Sequence, residues 1–456
     1  MAGIAVMKFG GSCLKNADGL YKMLNLSNDE KKLTVVVSAL SGVTDRILET
    51  VTNRLSEKSI ISLISFLRER HISLLSEISS GPVMEDGRKA IERLLKNMER
   101  LLYGVYYTRE LTPRTKALIL SFGERLSARV ISSAFNYSGR DSRVFDSDAL
   151  GVVTNTDYVS ATADLQQSKR IAGRKLRASI SSGHLPVVTG FFGRDPWGNI
   201  TLLGRNGTDY SAAIVAYALD SRRIVIWKDV DGFLTADPTL VPQAKLIDEI
   251  SYDEAAELSY FGAEVLHPKA VDPVRLGNIT IRIRNIANPD SEGTLITSSK
   301  RQTTGIVKSV SCLKDLGIIR AYVTGGGYTS GTISGISGHL GNAGINIISA
   351  TTSQTCIAFL LRSEDMELSA ETLSGIISRG LDKIETEYDV ALLCAVGEGL
   401  GKTRGIAAKV FGAIATADVN VGMMSAGAST AAYHFTVSMS DLAAAAKAVH
   451  HVFFGE

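Results

Sequence analysis

The sequence predicts an α/β protein: a three-layer α/β/α domain on a mainly parallel sheet, followed by two smaller α+β, ferredoxin-like modules. Three observations lead there. Short β-branched runs alternate with segments of helical period over the first two thirds of the chain, charged glycine-bearing loops follow several of those runs, and the last third repeats itself. A chain of 456 residues exceeds what one core usually fills, so two or three domains are expected.

The first run, Ile4 to Met7, meets Phe9-Gly10-Gly11-Ser12 and then helix-like sequence, which reads as strand, glycine turn, helix. Leu33 to Val37 repeats the pattern as a buried strand ending in Ser38-Ala-Leu-Ser41-Gly42-Val-Thr44. From Ser59 to Phe135 the apolar spacing is helical, with a break near Gly81-Pro82. Strands are expected again at Ser142–Phe145, Pro186–Thr189, Asn199–Leu203 and Arg223–Trp227, with Ile279–Ile283 the last before a turn-rich junction near residue 300.

Beyond that junction, Gly331, Gly338, Ala343 and Asn346 recur at one constant offset as Gly405, Gly412, Ala417 and Asn420, and the apolar positions between them correspond. Each copy reads as an amphipathic helix followed by a strand, with later strands at Cys356–Leu361 and Tyr433–Val437.

Composition removes several classes of function. With 45% apolar and 21% charged residues the chain is globular, and disordered, collagen-like and disulfide-scaffold readings are excluded. Lys+Arg 49 against Asp+Glu 47 gives a formal charge of +2, which provides no global field for nucleic acid or an anionic membrane. Cys13, Cys312, Cys356 and Cys394 form no CxxC or Cys/His ligand spacing, so reduced thiols and no metal site are expected. The N-terminus lacks a signal-peptide apolar core and no run is long enough to span a bilayer, so a cytoplasmic location is expected.

Four loops concentrate chemistry. Lys8-Phe-Gly-Gly-Ser12 can bring backbone N–H groups and an ammonium to phosphate oxygens. Gly204-Arg205-Asn-Gly-Thr-Asp209 precedes an alanine-rich helix, where Arg205 suits a bidentate carboxylate contact and Asp209 could orient a lysine or a metal ion, or simply cap the helix. Lys228-Asp229-Val-Asp231-Gly232 and Phe122-Gly-Glu124-Arg are the others, and loops after the carboxyl ends of parallel strands converge on one crevice. Gly401-Lys402-Thr403 lacks the earlier glycine of a phosphate loop, and Gly325-Gly326-Gly327 reads as a turn.

These motifs, with Ser121–Ala128, Thr235-Ala-Asp-Pro238 and Leu266-His-Pro268, resemble in order and spacing the aspartokinases, and the tail resembles their paired ACT domains. The resemblance covers essentially the whole chain. It implies an amino-acid-kinase-type domain over 1–300, a first ACT domain over 316–385, and a second formed by 301–315 plus 386–456. The chain ends where the second ACT domain ends, so no fused homoserine dehydrogenase is expected.

The implied activity is transfer of the ATP γ-phosphoryl group to the β-carboxylate of L-aspartate, with Mg2+, on the path to lysine, threonine and methionine. By the same resemblance Lys8 and Asp209 would be catalytic, and Ser38, Thr44, Glu124 and Arg205 would bind aspartate. Lys8, Gly10, Gly11, Ser12, Lys228, Asp229, Leu234 and Asp237 would bind nucleotide. Gly331, Thr332, Ile333, Asn346 and Ile347 would bind an amino-acid effector, lysine or threonine, in a homo-oligomer, dimer or tetramer, joined through the ACT domains. Lys228 stands where the family more often has Thr, while Thr239 and Glu264 stand where it commonly has basic residues. Lys228, Lys245 and Lys269 are the candidates to replace that charge, and His267 is expected to be structural. The lost charge motivates an alternative reading, a non-catalytic or weakly active amino-acid-sensing regulatory subunit.

Overall fold

The computed structural model describes residues 3–298, 306–323, 331–376 and 381–455. The chain divides into two compact units. The first comprises Met1–Phe233, Asp248–Tyr252 and Val265–Ser299, and the second Leu234–Ile247, Asp253–Glu264 and Lys300–Glu456. This division departs from a single domain over 1–300, because two stretches before residue 300 fold with the C-terminal sheet.

The strands of the first unit are β1 (Ala5–Phe9), β2 (Leu33–Val37), β3 (Ser142–Phe145), β4 (Leu185–Thr189), β5 (Phe192–Arg194), β6 (Ile200–Leu202), β7 (Arg223–Lys228), β8 (Glu249–Ser251), β9 (Thr280–Asn285) and β10 (Thr294–Thr297). Eight of them form one sheet in the order β3-β4-β2-β1-β7-β9-β10-β8. All neighbours are parallel except β9 and β10. Strands β1, β2 and β4 are buried at every residue, the condition of a parallel sheet covered on both faces, and this is why their sequences run apolar without alternating.

Helices Glu57–Ile78 and Gly81–Thr108 pack on each other and on helix Phe122–Tyr137. Ser56 and Ser59 cap the first reciprocally, and the break falls at Ser79 and Ser80, both extended, with Pro82 in the first turn of the next helix. The strand expected at 199–203 is present as β6, in a separate hairpin with β5. One strand expectation needs correction: Ile279–Ile283 is not the last before the junction, because the sheet continues past Ile283 through β10 to β8.

The second unit holds β11 (Ser309–Tyr322), β12 (Ser349–Thr352), β13 (Cys356–Arg362), β14 (Lys383–Val396), β15 (Met424–Ala426) and β16 (Ala432–Ser438). They form one antiparallel sheet ordered β12-β13-β11-β14-β16-β15. The repeat is visible in the backbone. Gly331 and Gly405, with φ of 97° and 83°, precede helices Thr332–Asn342 and Ile406–Thr416. The starts of β11 and β14 share the same separation, as do Asp315 and Asp389, the left-handed residues of each strand with φ of 58° and 56°.

The strands expected right after each repeat helix begin later, at Ser349 and Met424, because Ile345 is buried in a non-strand connection and Val419 lies in the matching one. One core gathers Ile319, Ile336, Leu340, Phe359 and Met366, and another gathers Leu393, Val410, Ile414, Phe435 and Val449. The second core also takes in Ala236 and Val241, and Ala236 bridges to Val310 in β11, which is why this stretch belongs to the second unit. Both expected module boundaries, 315/316 and 385/386, fall inside continuous strands. Gly325–Gly327 lie outside the described residues, and Gly401-Lys402-Thr403 lies on and just after a single 3-10 turn. Among the described residues no helix is long and apolar enough to cross a membrane.

Candidate active site

The parallel order puts β1 between β2 and β7, so the turns leaving their carboxyl ends are neighbours. Gly10 N–H donates to the Trp227 carbonyl at 3.3 Å and Ser38 N–H to the Phe9 carbonyl at 3.3 Å, which ties the three ends together. Space at Gly11 is tight, since a Cβ there would stand 3.0 Å from the Ala39 carbonyl oxygen. Ser12 is partly buried beside this turn, 3.8 Å from where a Gly10 Cβ would be.

Helix Gly207–Leu219 enters the same place. Its first turn carries Asp209, which is fully buried and bonded to two ammonium groups: Lys8 Nζ at 2.7 Å from Oδ1 and Lys228 Nζ at 3.0 Å from Oδ2. Lys8 is the fourth residue of β1 and Lys228 the last of β7, so two strands and one helix start build the cluster. Burial pushes the Asp209 carboxyl up, but Lys228 and Lys8 outweigh burial and hold it at about 2. Burial pushes the Lys8 ammonium below the ordinary lysine range, with Lys228 adding to this and Asp209 opposing it. Two ammoniums against one carboxylate leave positive charge unmatched in a buried place, an environment that calls for an anion. Asp209 therefore does more than cap the helix. The residue at the cap position is Asn206, in the left-handed region at φ 61° and making no side-chain cap bond.

Glu124 sits in the first turn of helix Phe122–Tyr137 with 2% of its surface exposed. Oε1 accepts from Ala39 N–H at 3.1 Å, and Oε2 is buried without a partner. Burial pushes this carboxyl up to about 8. The helix is fixed by Arg125, which bonds Asp146 and Asp148, each at 3.0 Å, and by Arg129, which forks onto Asp146. Ser38 is held on both sides: its carbonyl accepts from Ser127 Oγ at 2.6 Å, and its hydroxyl lies 3.4 Å from Thr208 Oγ1. Thr44 follows the left-handed Gly42 at the start of helix Val43–Thr52, with its hydroxyl 3.6 Å from where a Gly123 Cβ would be.

The structure thus brings Lys8, Gly10, Gly11, Asp209 and Lys228 together, with Ser38 beside them through Thr208, and it brings Glu124 and Thr44 to the turn after β2. Arg205 is exposed on the loop between Gly204 and Asn206 and makes no ion pair among the described residues. Asp229 is exposed just beyond β7. Leu234 and Asp237 belong to the second unit, where Asp237 accepts from Thr239 N–H and hydroxyl and lies 3.4 Å from Lys314 Nζ.

Of the replacement lysines, only Lys228 joins the cluster. Lys269 donates to the Ser160 carbonyl at 2.6 Å, and Lys245 belongs to the second unit. His267 stacks on Tyr210 and its Nδ1 accepts from Lys269 N–H, and burial pushes its imidazole down to about 4. Sequence reasoning missed Thr208 and Gly190. The Gly190 signal was present in the sequence: another glycine directly after a strand, where a Cβ would stand 2.4 Å from Thr208 Cγ2.

A parallel three-layer unit with this cluster at its strand ends defines an amino acid kinase, and residues 3–285 match the model of the amino acid kinase family; residues 393–453 match an ACT domain. The chain is 31% identical over 463 residues to aspartokinase 1 of Arabidopsis thaliana, covering 98% of this chain and 80% of that one. The structure resembles E. coli aspartokinase III in complex with aspartate and ADP, R-state, with TM-score 0.88, 27% identity and coverage of 99% and 100%. The same enzyme with lysine and aspartate, T-state, gives 0.79 with 27% identity and coverage of 99% of both chains. This chain belongs to the aspartokinase family.

Proposed function

We propose that the chain transfers the γ-phosphoryl group of ATP to the β-carboxylate of L-aspartate, forming 4-phospho-L-aspartate and ADP, as the first step toward lysine, threonine and methionine. The observation that carries this reading is the bridging of Lys8 and Lys228 by buried Asp209. A β-carboxylate oxygen attacks the γ-phosphorus while the bond to the β-phosphate oxygen breaks. The nucleophile is already ionised and needs no general base, so positioning and charge neutralisation supply the acceleration.

In this reading Lys8 and Lys228 lie along the phosphates, the N–H groups of Gly11 and Ser12 line the anion pocket beside Gly10, whose own N–H ties the turn to the Trp227 carbonyl, and Asp209 aims both lysines. Glu124 takes the substrate ammonium, Arg205 a carboxylate, and Ser38 and Thr44 donate hydrogen bonds. Asp229 borders the nucleotide.

The Mg2+ that the family implies fits only as an ion brought by the nucleotide. Both oxygens of Asp209 are committed to lysines, and the described residues contain no cluster of three acidic, His or Cys groups for a protein-only cage. Mg2+ would neutralise phosphate charge.

For regulation, Gly331, Thr332 and Ile333 at a helix start, with Asn346 and Ile347 in the connection before β12, are the proposed effector contacts, lysine or threonine being the ligand class. The lysine complex of aspartokinase III supports that part.

The test is aspartate-dependent ADP release with hydroxylamine trapping of the acyl phosphate, run beside Lys8→Ala. Trapped hydroxamate that requires aspartate, and its loss in the variant, is expected. Absence of aspartate-dependent turnover at millimolar substrate would sink the reading.

A further inference from the structure

Glu124 presents a physical problem that the reaction alone does not solve. Its carboxyl is nearly inaccessible, one oxygen has a single backbone donor, and the other has none. An isolated buried carboxylate is strongly disfavoured unless a cation or several donors meet it. The charged groups on the surrounding elements are turned elsewhere. Arg125 and Arg129 of its own helix go to Asp146 and Asp148, Arg46 of helix Val43–Thr52 to Glu49, and Lys8 with Lys228 to Asp209. Arg114 of helix Pro113–Leu120 reaches Asn199, and among the described residues neither Lys116 of that helix nor Asp45 of helix Val43–Thr52 bonds to Glu124. Burial and backbone N–H groups alone set its proton affinity.

We infer that Glu124 is protonated in the free protein and releases that proton to solvent when the α-ammonium of the acceptor amino acid enters, so that substrate capture and proton release are one event. This rests on the reading of Glu124 as the amine-binding residue. The bonds balance: the carboxyl O–H breaks, the proton leaves as hydronium or to buffer, and a carboxylate–ammonium pair takes the place of an uncharged acid. The unpartnered Oε2 is the atom left for the ammonium. The linkage also gives a basis for selectivity. Below about pH 8 a ligand must bring its own cation to ionise this group, so a dicarboxylate lacking the amine gains nothing from Glu124.

With the carboxyl titrating at about 8, the sign follows directly. Below that pH the proton must be displaced, so apparent affinity weakens as pH falls; above it the carboxylate is already formed and affinity levels off. Calorimetry of aspartate binding in buffers of different ionisation enthalpy should give about 0.9 proton released per aspartate at pH 7 and about 0.1 at pH 9. The apparent Kd should rise about tenfold per unit from pH 7 to pH 6. Succinate should bind weakly with no release.

Glu124→Gln, which copies the shape of the neutral acid, should abolish both the release and the slope. Infrared difference spectra of the ligand-free protein test the protonation without substrate: a carboxylic C=O band lost as pH rises through about 8, and missing in Glu124→Gln, is expected. A carboxylate already present at pH 6 overturns the inference even if aspartate binds. Release unchanged in Glu124→Gln also overturns it. If the band titrates as expected but aspartate does not bind at any pH, the substrate reading fails and the linkage falls with it.

Discussion

Lys228 Nζ stands 3.0 Å from Asp209 Oδ2, on the opposite oxygen from the one that Lys8 holds at 2.7 Å. A strand-end lysine thus shares the central carboxylate of the site. Lys228→Thr removes its charge and keeps a hydrogen-bonding side chain. Steady-state kinetics should show kcat/KM for ATP lower by about 100-fold, the usual loss for one electrostatic donor to a transferring group. Near-normal activity would mean that the Lys228 ammonium takes no part in the transfer.

Asp209→Asn leaves two buried ammoniums facing each other without a counter-charge. Urea denaturation should find the variant destabilised by about 3–5 kcal/mol, as when one partner is removed from a buried ion cluster, and turnover should vanish. Adding Lys228→Met should recover part of the stability and none of the turnover. Wild-type stability in the single variant would deny the cluster its electrostatic character.

His71 gives a pH signature independent of the active site. It is fully buried in helix Glu57–Ile78, with Nδ1 2.7 Å from the Leu67 carbonyl oxygen and Nε2 unpartnered. Burial depresses its pKa from 6.5 to about 4. Its folded value is lower than its unfolded one, so its contribution is present above pH 6.5 and is lost as pH falls toward 4, by about 3 kcal/mol in full. His71→Leu should flatten that part of the acid denaturation profile. An unchanged slope would show that the ring is protonated inside the fold.

Gly262 in the second unit has φ 108°, and a Cβ there would stand 1.9 Å from the Cys312 carbonyl oxygen. Both conformation and space forbid a side chain. Gly262→Ala should lower stability by about 2–4 kcal/mol in denaturant titration. A loss below about 0.5 kcal/mol would mean that this backbone can shift freely.

Much of this architecture was legible in the sequence because its signals are strong locally. The short apolar, β-branched runs at Ala5–Phe9 and Leu33–Val37 read as sheet interior, and Gly10-Gly11 after the first marks the end of its strand. The repeat was legible in its helices but not in β11 and β14, where only the separation and a pair of left-handed aspartates survive. Three-residue strands such as Glu249–Ser251 are too short to carry a period. The association of Lys8, Asp209 and Lys228 was anticipated as converging loops, but the division of one carboxylate between two lysines depends on register: Phe9 pairs with Trp227, one residue before Lys228. Such register is a property of the folded sheet. The folding of 234–247 with the C-terminal core was hidden for the same reason, since Ala236 meets Val310 only after both have been placed by other contacts.

Strands β11 and β14 each run fourteen residues through both halves of the C-terminal sheet. One end of β11 pairs Ser309–Leu313 with Leu392–Val396, while its other end lies between β13 and the first half of β14. Any cut that freed one repeat would split a beam shared by both and expose an unpaired strand edge suited to aggregation. The duplicated modules have become mutually obligate, and a truncation or transplant of this tail must carry the pair whole.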